Sequence, residues 1–200
     1  MHKIMALAWG ILSSVGALAA PTQHDAKALA SGVCSACHGP EGRSVSPVFP
    51  RLAGQQSAYI MLQIDAFRSH VRSDPNAQAY MWGMSSQLDD DTIKELADYY
   101  AAQKPVTGQL GDARLAAAGA EIYGNGIPAQ GVPACASCHG ANAEGAAAFP
   151  RLGGQHVDYL VAQLQGFQSG LRSNAPIMLA VVRTLTKEQI KAVAAYAASR

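Results

Sequence analysis

The sequence predicts an all-α fold made of two tandem domains with the same plan. Three observations predict it. The second half of the 200-residue chain repeats blocks of the first half in the same order. Apolar residues recur at helical spacing in each copy, and no segment sustains the alternation of a half-buried strand.

The repeat is explicit. Cys34-Ser35-Ala36-Cys37-His38-Gly39 returns as Cys135-Ala136-Ser137-Cys138-His139-Gly140. Phe49-Pro50-Arg51-Leu52-Ala53-Gly54-Gln55 returns as Phe149-Pro150-Arg151-Leu152-Gly153-Gly154-Gln155. Tyr59, Gln63 and Phe67 return as Tyr159, Gln163 and Phe167, Met81 and Leu88 as Met178 and Leu185, and Tyr99 as Tyr196. The offset drifts from 101 at the cysteines to 97 at the methionines, as a duplication with small loop changes would give. Residues 20–103 are expected to form the first domain and residues 112–200 the second. Residues 104–111, with one Pro and two Gly, read as the linker.

In chain order, residues 1–19 read as a signal peptide. His2 and Lys3 precede an apolar stretch from Ile4 to Leu18, and Ala17-Leu18-Ala19 offers a small-x-small cleavage site, with Ala20 as the neighbouring alternative. The stretch is short against the ~20 apolar residues a bilayer span requires. Its removal takes Lys3 away and leaves acidic and basic residues balanced. The mature chain is therefore expected to be soluble and periplasmic.

Asp25 and Asp112 mark the starts of the first helix of each half. Ile60, Ile64, Phe67 and Val71 share one face of a following helix, and Ile93, Leu96, Ala97 and Tyr100 one face of a later helix that Asp89 would cap. Thr186 and Gln189 form a capping box before Ile190, Val193 and Ala194. Charged residues are only 14% of the chain and its net charge is +1, with no basic stripe, which excludes a nucleic-acid binder. Aromatic residues are only 6% and much of the apolar content is alanine, so two small domains need something else to fill their cores.

All four cysteines lie in the two Cys-x-x-Cys-His motifs. A disulfide framework seldom uses this spacing twice, a thioredoxin-like pair would need a preceding strand, and a zinc site would gather both pairs. The histidine that follows each second cysteine points to covalent c-type haem. Cys34 with Cys37, and Cys135 with Cys138, would add to the porphyrin vinyl groups, and His38 and His139 would face the two irons. Two haem c groups also supply the missing core volume.

The sixth iron ligand decides between electron transfer and ligand chemistry. Met178 is the one methionine of the second half and lies seven residues before Leu185. Met81 lies seven residues before Leu88, whereas Met84 lies four before it, so the repeat selects Met81 and keeps Met84 as the alternative. Met61 falls inside a helix and reads as core. The carbonyls of Pro50 and Pro150 are candidate acceptors for the second nitrogen of each histidine. Arg51 and Arg151 are either partners of haem propionates or surface charges, and His24, His70 and His156 read as surface residues.

Together these blocks resemble the dihaem cytochrome c4 family over essentially the whole mature chain. The resemblance implies two class I cytochrome c domains, haems near the domain interface, and His38/Met81 and His139/Met178 as axial pairs. It also implies a periplasmic one-electron carrier between respiratory complexes, with partners such as a quinol–cytochrome c reductase and a terminal oxidase. A haem-bearing subunit of a dehydrogenase complex is the alternative, followed by a dihaem peroxidase. The methionine in each half argues against the peroxidase, which needs an open iron site beside acid–base groups. A monomer is expected, with peripheral membrane association left open. If one methionine binds each iron, Met81→Ala and Met178→Ala each remove about half of the Met–iron charge-transfer band of the oxidised protein. Met84→Ala leaves it intact.

Overall fold

A computed structural model describes residues 25–200, so the expected signal peptide lies outside the described residues. Each half is a small helical bundle. The first holds α1 (Ala26–Leu29), which continues through a π turn, Ala30–Cys34, into α2 (Ser35–His38). It continues with α3 (Ser57–Arg68), a second π turn (Ala77–Met81) leading into α4 (Trp82–Ser85), and α5 (Asp90–Ala101). The second half holds α6 (Ala113–Asn125), α7 (Ala136–His139), α8 (Val157–Ser169), α9 (Pro176–Val182) and α10 (Lys187–Ala198). Among the described residues there is no strand beyond two isolated bridges. None of their helices is long and apolar enough to cross a membrane.

The caps form where the sequence placed them. The Asp25 carboxylate accepts from Ala28 N, Asp112 from Arg114 N and Leu115 N, and Asp89 from Thr92 N. Thr186 and Gln189 complete a reciprocal capping box. Each cap satisfies helix N–H groups that have no partner within their own helix.

Each half has its own core. In the first, Ala26 and Ala30 meet Ile60 and Ile64 of α3 and Ile93, Leu96, Ala97 and Tyr100 of α5. In the second, Tyr123 of α6 and Leu160 of α8 pack on Val193, Ala194 and Ala197 of α10, with a further cluster around Phe167, Val182 and Ile190. One expectation fails. Val71 is 55% exposed and lies beyond the end of α3. His70 adopts φ 60°, which turns the chain back so that Arg72 N donates to Ala66 O, and the apolar face stops at Phe67.

The halves meet through the glycine of the repeated Leu-x-Gly-Gln segment. Gly54 and Gly154 have φ of +68° and +73°, a region in which a Cβ is strained. A Cβ on Gly54 would overlap the Pro105 ring, and one on Gly154 would overlap the Val106 carbonyl. The segment between α5 and α6 thus passes close over both repeats.

A close approach also builds the second domain. A Cβ on Gly119 of α6 would overlap the carbonyl of Ala192 in α10, whereas one on Gly124 meets open space. Gly119→Ala is expected to destabilise the protein by about 1–3 kcal/mol through overpacking. Gly124→Ala is expected to stabilise it by up to about 1 kcal/mol. Guanidinium unfolding followed by circular dichroism separates the two.

Candidate functional site

Each Cys-x-x-Cys-His motif occupies one short helical turn, so both sulfurs and the imidazole project from a single local frame. Cys37 and Cys138 are exposed, while Cys34 and Cys135 are half-buried. Burial pushes the Cys34 thiol up and the Cys135 thiol up to about 11, so both are neutral thiols. Among the described residues no three His, Cys, Asp or Glu side chains gather as a metal set, so the two pairs do not share a zinc site.

The two imidazoles are fixed in the same way. His38 Nδ1 lies 2.9 Å from Pro50 O, and His139 Nδ1 lies 3.0 Å from Pro150 O. A carbonyl only accepts, so Nδ1 carries the proton and Nε2 keeps its lone pair for a metal. Burial lowers both pKa values against the opposing effect of the proline carbonyl, which favours the neutral ring. Phe49 and Phe149 pack edge-on at 6.1 and 6.4 Å between ring centres and hold each ring's tilt.

The methionines sit on different local supports. Met81 ends a π turn, its carbonyl accepts from Ser85 Oγ at 2.8 Å, and the adjoining Trp82 donates from Nε1 to Arg72 O at 2.8 Å. Trp82 also stacks on His70 at 4.0 Å, and His70 is exposed, as expected from the sequence. Met178 lies in the first turn of α9, started by Pro176. The Gly83 present only in the first half has open space around it. Met84 is 57% exposed.

A single apolar cavity of about 660 Å³ spans both halves. His38, Met81, His139 and Met178 line it, together with Cys34, Cys135 and Cys138. Of the eight residues singled out from the sequence, Cys37 alone is not on its wall. Met84 lines it as well.

Arg51 and Arg151 both line the cavity, and both are half-buried rather than free surface charges. Arg51 donates to the carbonyls of Ser44 and Gly154, and Arg151 to that of Gly153, which leaves further N–H donors on each guanidinium. His156 differs from a surface residue, since its Nε2 is buried. The most deeply buried cations on the cavity wall are Arg72 and Arg172, 5% and 3% exposed. Sequence reading missed them, although Arg72-Ser73-Asp74 and Arg172-Ser173-Asn174 recur 100 residues apart.

These two arginines organise the polar side of the cavity. Arg72 binds Asp74 and Gln63 at 2.9 Å, Gln163 at 2.8 Å and the Tyr159 hydroxyl at 3.3 Å. Arg172 binds Gln163 at 2.6 Å and Gln63 and the Tyr59 hydroxyl at 2.9 Å. Asn174 stands where the first half has Asp74. Burial works against the Arg72 charge, but Tyr159, Tyr59 and Asp74 outweigh it and hold the group above the usual guanidinium range. Burial would raise the Tyr59 hydroxyl, yet Arg172 and Arg72 hold it below its usual value.

The cavity fits two haem c groups on chemical grounds. Its walls are apolar, each half offers one Nε2 lone pair and a thioether, and the cysteines sit at the edge. Arg72 is paired with Asp74 whereas Arg172 binds neutral partners, which leaves positive charge to meet haem propionates.

The comparisons agree. The cytochrome c family model matches residues 24–102 and 116–199. A cytochrome c4 of Thiocapsa roseopersicina is 41% identical over 175 residues, 85% of this chain and 88% of its own. A thiosulfate dehydrogenase electron acceptor of Stutzerimonas stutzeri is 49% identical over 175 residues, 85% of this chain and 80% of its own. The solved cytochrome c4 of Acidithiobacillus ferrooxidans superposes with a TM-score of 0.79 at 40% identity, over 84% of this chain and 98% of that one. The chain belongs to the cytochrome c family, and within it to the dihaem cytochromes c4. It is a dihaem electron carrier with two haem c groups.

Arg72 and Asp74 form a buried ion pair, with side chains 6% and 9% exposed. Arg72→Met is expected to cost about 3–5 kcal/mol, because it leaves a buried carboxylate unpaired. Adding Asp74→Asn should recover part of that loss, as denaturant unfolding of the holoprotein will show.

Proposed function

We propose that the chain is a periplasmic one-electron shuttle between respiratory complexes. Its haems are bound by Cys34 and Cys37, and by Cys135 and Cys138, with His38/Met81 and His139/Met178 as axial pairs. The observation that carries this reading is that each half brings one imidazole, locked with Nε2 free, and one methionine to the wall of the same cavity. The haem iron supplies the one-electron couple, and methionine as its second axial ligand raises the reduction potential. The chain's own residues do the rest. The proline carbonyls hold the ring orientation, the phenylalanines pack against it, and the apolar wall keeps water from the site. A filled sixth position leaves no place for a substrate, which distinguishes a carrier from a peroxidase. The donor is a quinol–cytochrome c reductase and the acceptor a terminal oxidase.

One observation favours a second reading. The 49% identity to a thiosulfate dehydrogenase electron acceptor makes that class of enzyme an alternative donor, with this chain as its haem-bearing partner. Stopped-flow reduction decides between them. The first reading expects rapid reduction by the quinol–cytochrome c reductase and reoxidation by the oxidase. Rapid reduction only by thiosulfate with its dehydrogenase would replace it with the second. A redox titration with optical spectra is expected to show two low-spin haems, and a five-coordinate resting spectrum would defeat both readings.

A further inference from the structure

We propose that Gln55 and Gln155 are positioning residues that act across the domain boundary, each tuning the proximal histidine, and so the haem, of the opposite half. The proposal rests on His38 and His139 being axial ligands. The carbonyl that accepts from His38 Nδ1 and the N–H of Arg51 belong to one peptide group, Pro50–Arg51. That N–H donates to Gln155 Oε1 at 2.9 Å, and Gln155 Nε2 donates back to Arg51 O at 3.0 Å. The mirror arrangement holds in the other half. The peptide Pro150–Arg151 accepts from His139 and donates from Arg151 N to Gln55 Oε1 at 2.7 Å, while Gln55 Nε2 donates to Arg151 O at 3.0 Å. Both glutamines are 7% exposed, so water does not compete for these bonds. Each glutamine oxygen also accepts from the next residue's N–H, which fixes the side chain in place.

Hydrogen bonds in a chain polarise one another. Donation from the Arg51 N–H shifts amide electron density onto the Pro50 oxygen and makes it a stronger acceptor for His38. A stronger bond at Nδ1 raises the basicity of the imidazole as a ligand. A more basic ligand favours the ferric over the ferrous iron. Gln155 therefore lowers the midpoint potential of the first-half haem, and Gln55 that of the second. A glutamine that merely glued the halves together would affect both haems alike.

The test uses the full-length holoprotein and titrates the Met–iron charge-transfer band. In a Met178→Ala background the band reports the first haem, and in a Met81→Ala background the second. Gln155→Met, of similar volume but with no carbonyl acceptor, is expected to shift the first haem's midpoint upward and leave the second in place. Gln55→Met is expected to do the reverse. Gln155→Glu keeps an oxygen acceptor and is expected not to raise the first haem's midpoint, a result that stands even if a methionine variant does not fold. No shift, an equal shift of both haems, or a shift confined to the variant's own half overturns the proposal. Failure of the underlying ligand reading looks different: the band would be missing from the wild type or would survive both methionine substitutions.

Discussion

The hydrogen bond from each buried imidazole to a proline carbonyl, 12 residues on in the first half and 11 in the second, ties together every part of the site. It selects the tautomer, so one ring nitrogen keeps its lone pair free. It anchors the Phe-Pro-Arg-Leu segment against the Cys-x-x-Cys-His turn, which places Phe49 and Phe149 against the rings. That same segment then runs into Gly54 and Gly154, whose left-handed conformation lets the chain pass under the connection between the halves. One backbone segment therefore joins the ligand, the wall of the cavity and the domain interface.

A consequence is that the two domains are not independent beads. Each core is small, with alanines beside a few large side chains, and the large cavity spans both halves. Covalent attachment suits such a domain, since the prosthetic group completes the core and cannot be lost by dissociation. The polar face of the cavity is likewise shared. Arg72 reaches Gln163 and Tyr159 of the other half, and Arg172 reaches Gln63 and Tyr59.

Much of this was legible in the sequence because duplication reports spacing twice. The offset that matched Met178 to Met81 rather than Met84 came from Leu88 and Leu185, which mark the approach to the last helix. The caps were readable because Asp and Thr ahead of a helical pattern act locally. The end of α3 was not, since Val71 continues the helical period and only the backbone of His70 breaks it. The arginines were harder. Arg51 and Arg151 stand beside the proline that accepts from each histidine and read as either propionate partners or surface charges, and the fold puts both on the cavity wall with bonds to carbonyls. Arg72 and Arg172 follow a turn whose direction no local pattern sets, so their place in the cavity depends on tertiary structure.

Duplication gives near-symmetry, and the departures from it fall at the cavity. Asp74 faces Arg72, whereas Asn174 faces Arg172, so one guanidinium is paired with a carboxylate and the other with a neutral amide. Buried charges interact more strongly than exposed ones because little water screens them. The two ends of the cavity thus lie in different fields, although the residues contributed by each repeat are nearly the same. Met81 ends a π turn, while Met178 stands in an α-helical first turn, so the backbone supports differ as well. A duplicated chain that bridges its halves through shared arginines, and then changes one charge beside them, couples its two sites while making them unequal. Two sites that are coupled and unequal give the transfer of one electron between them a direction, which two identical sites in separate domains would lack.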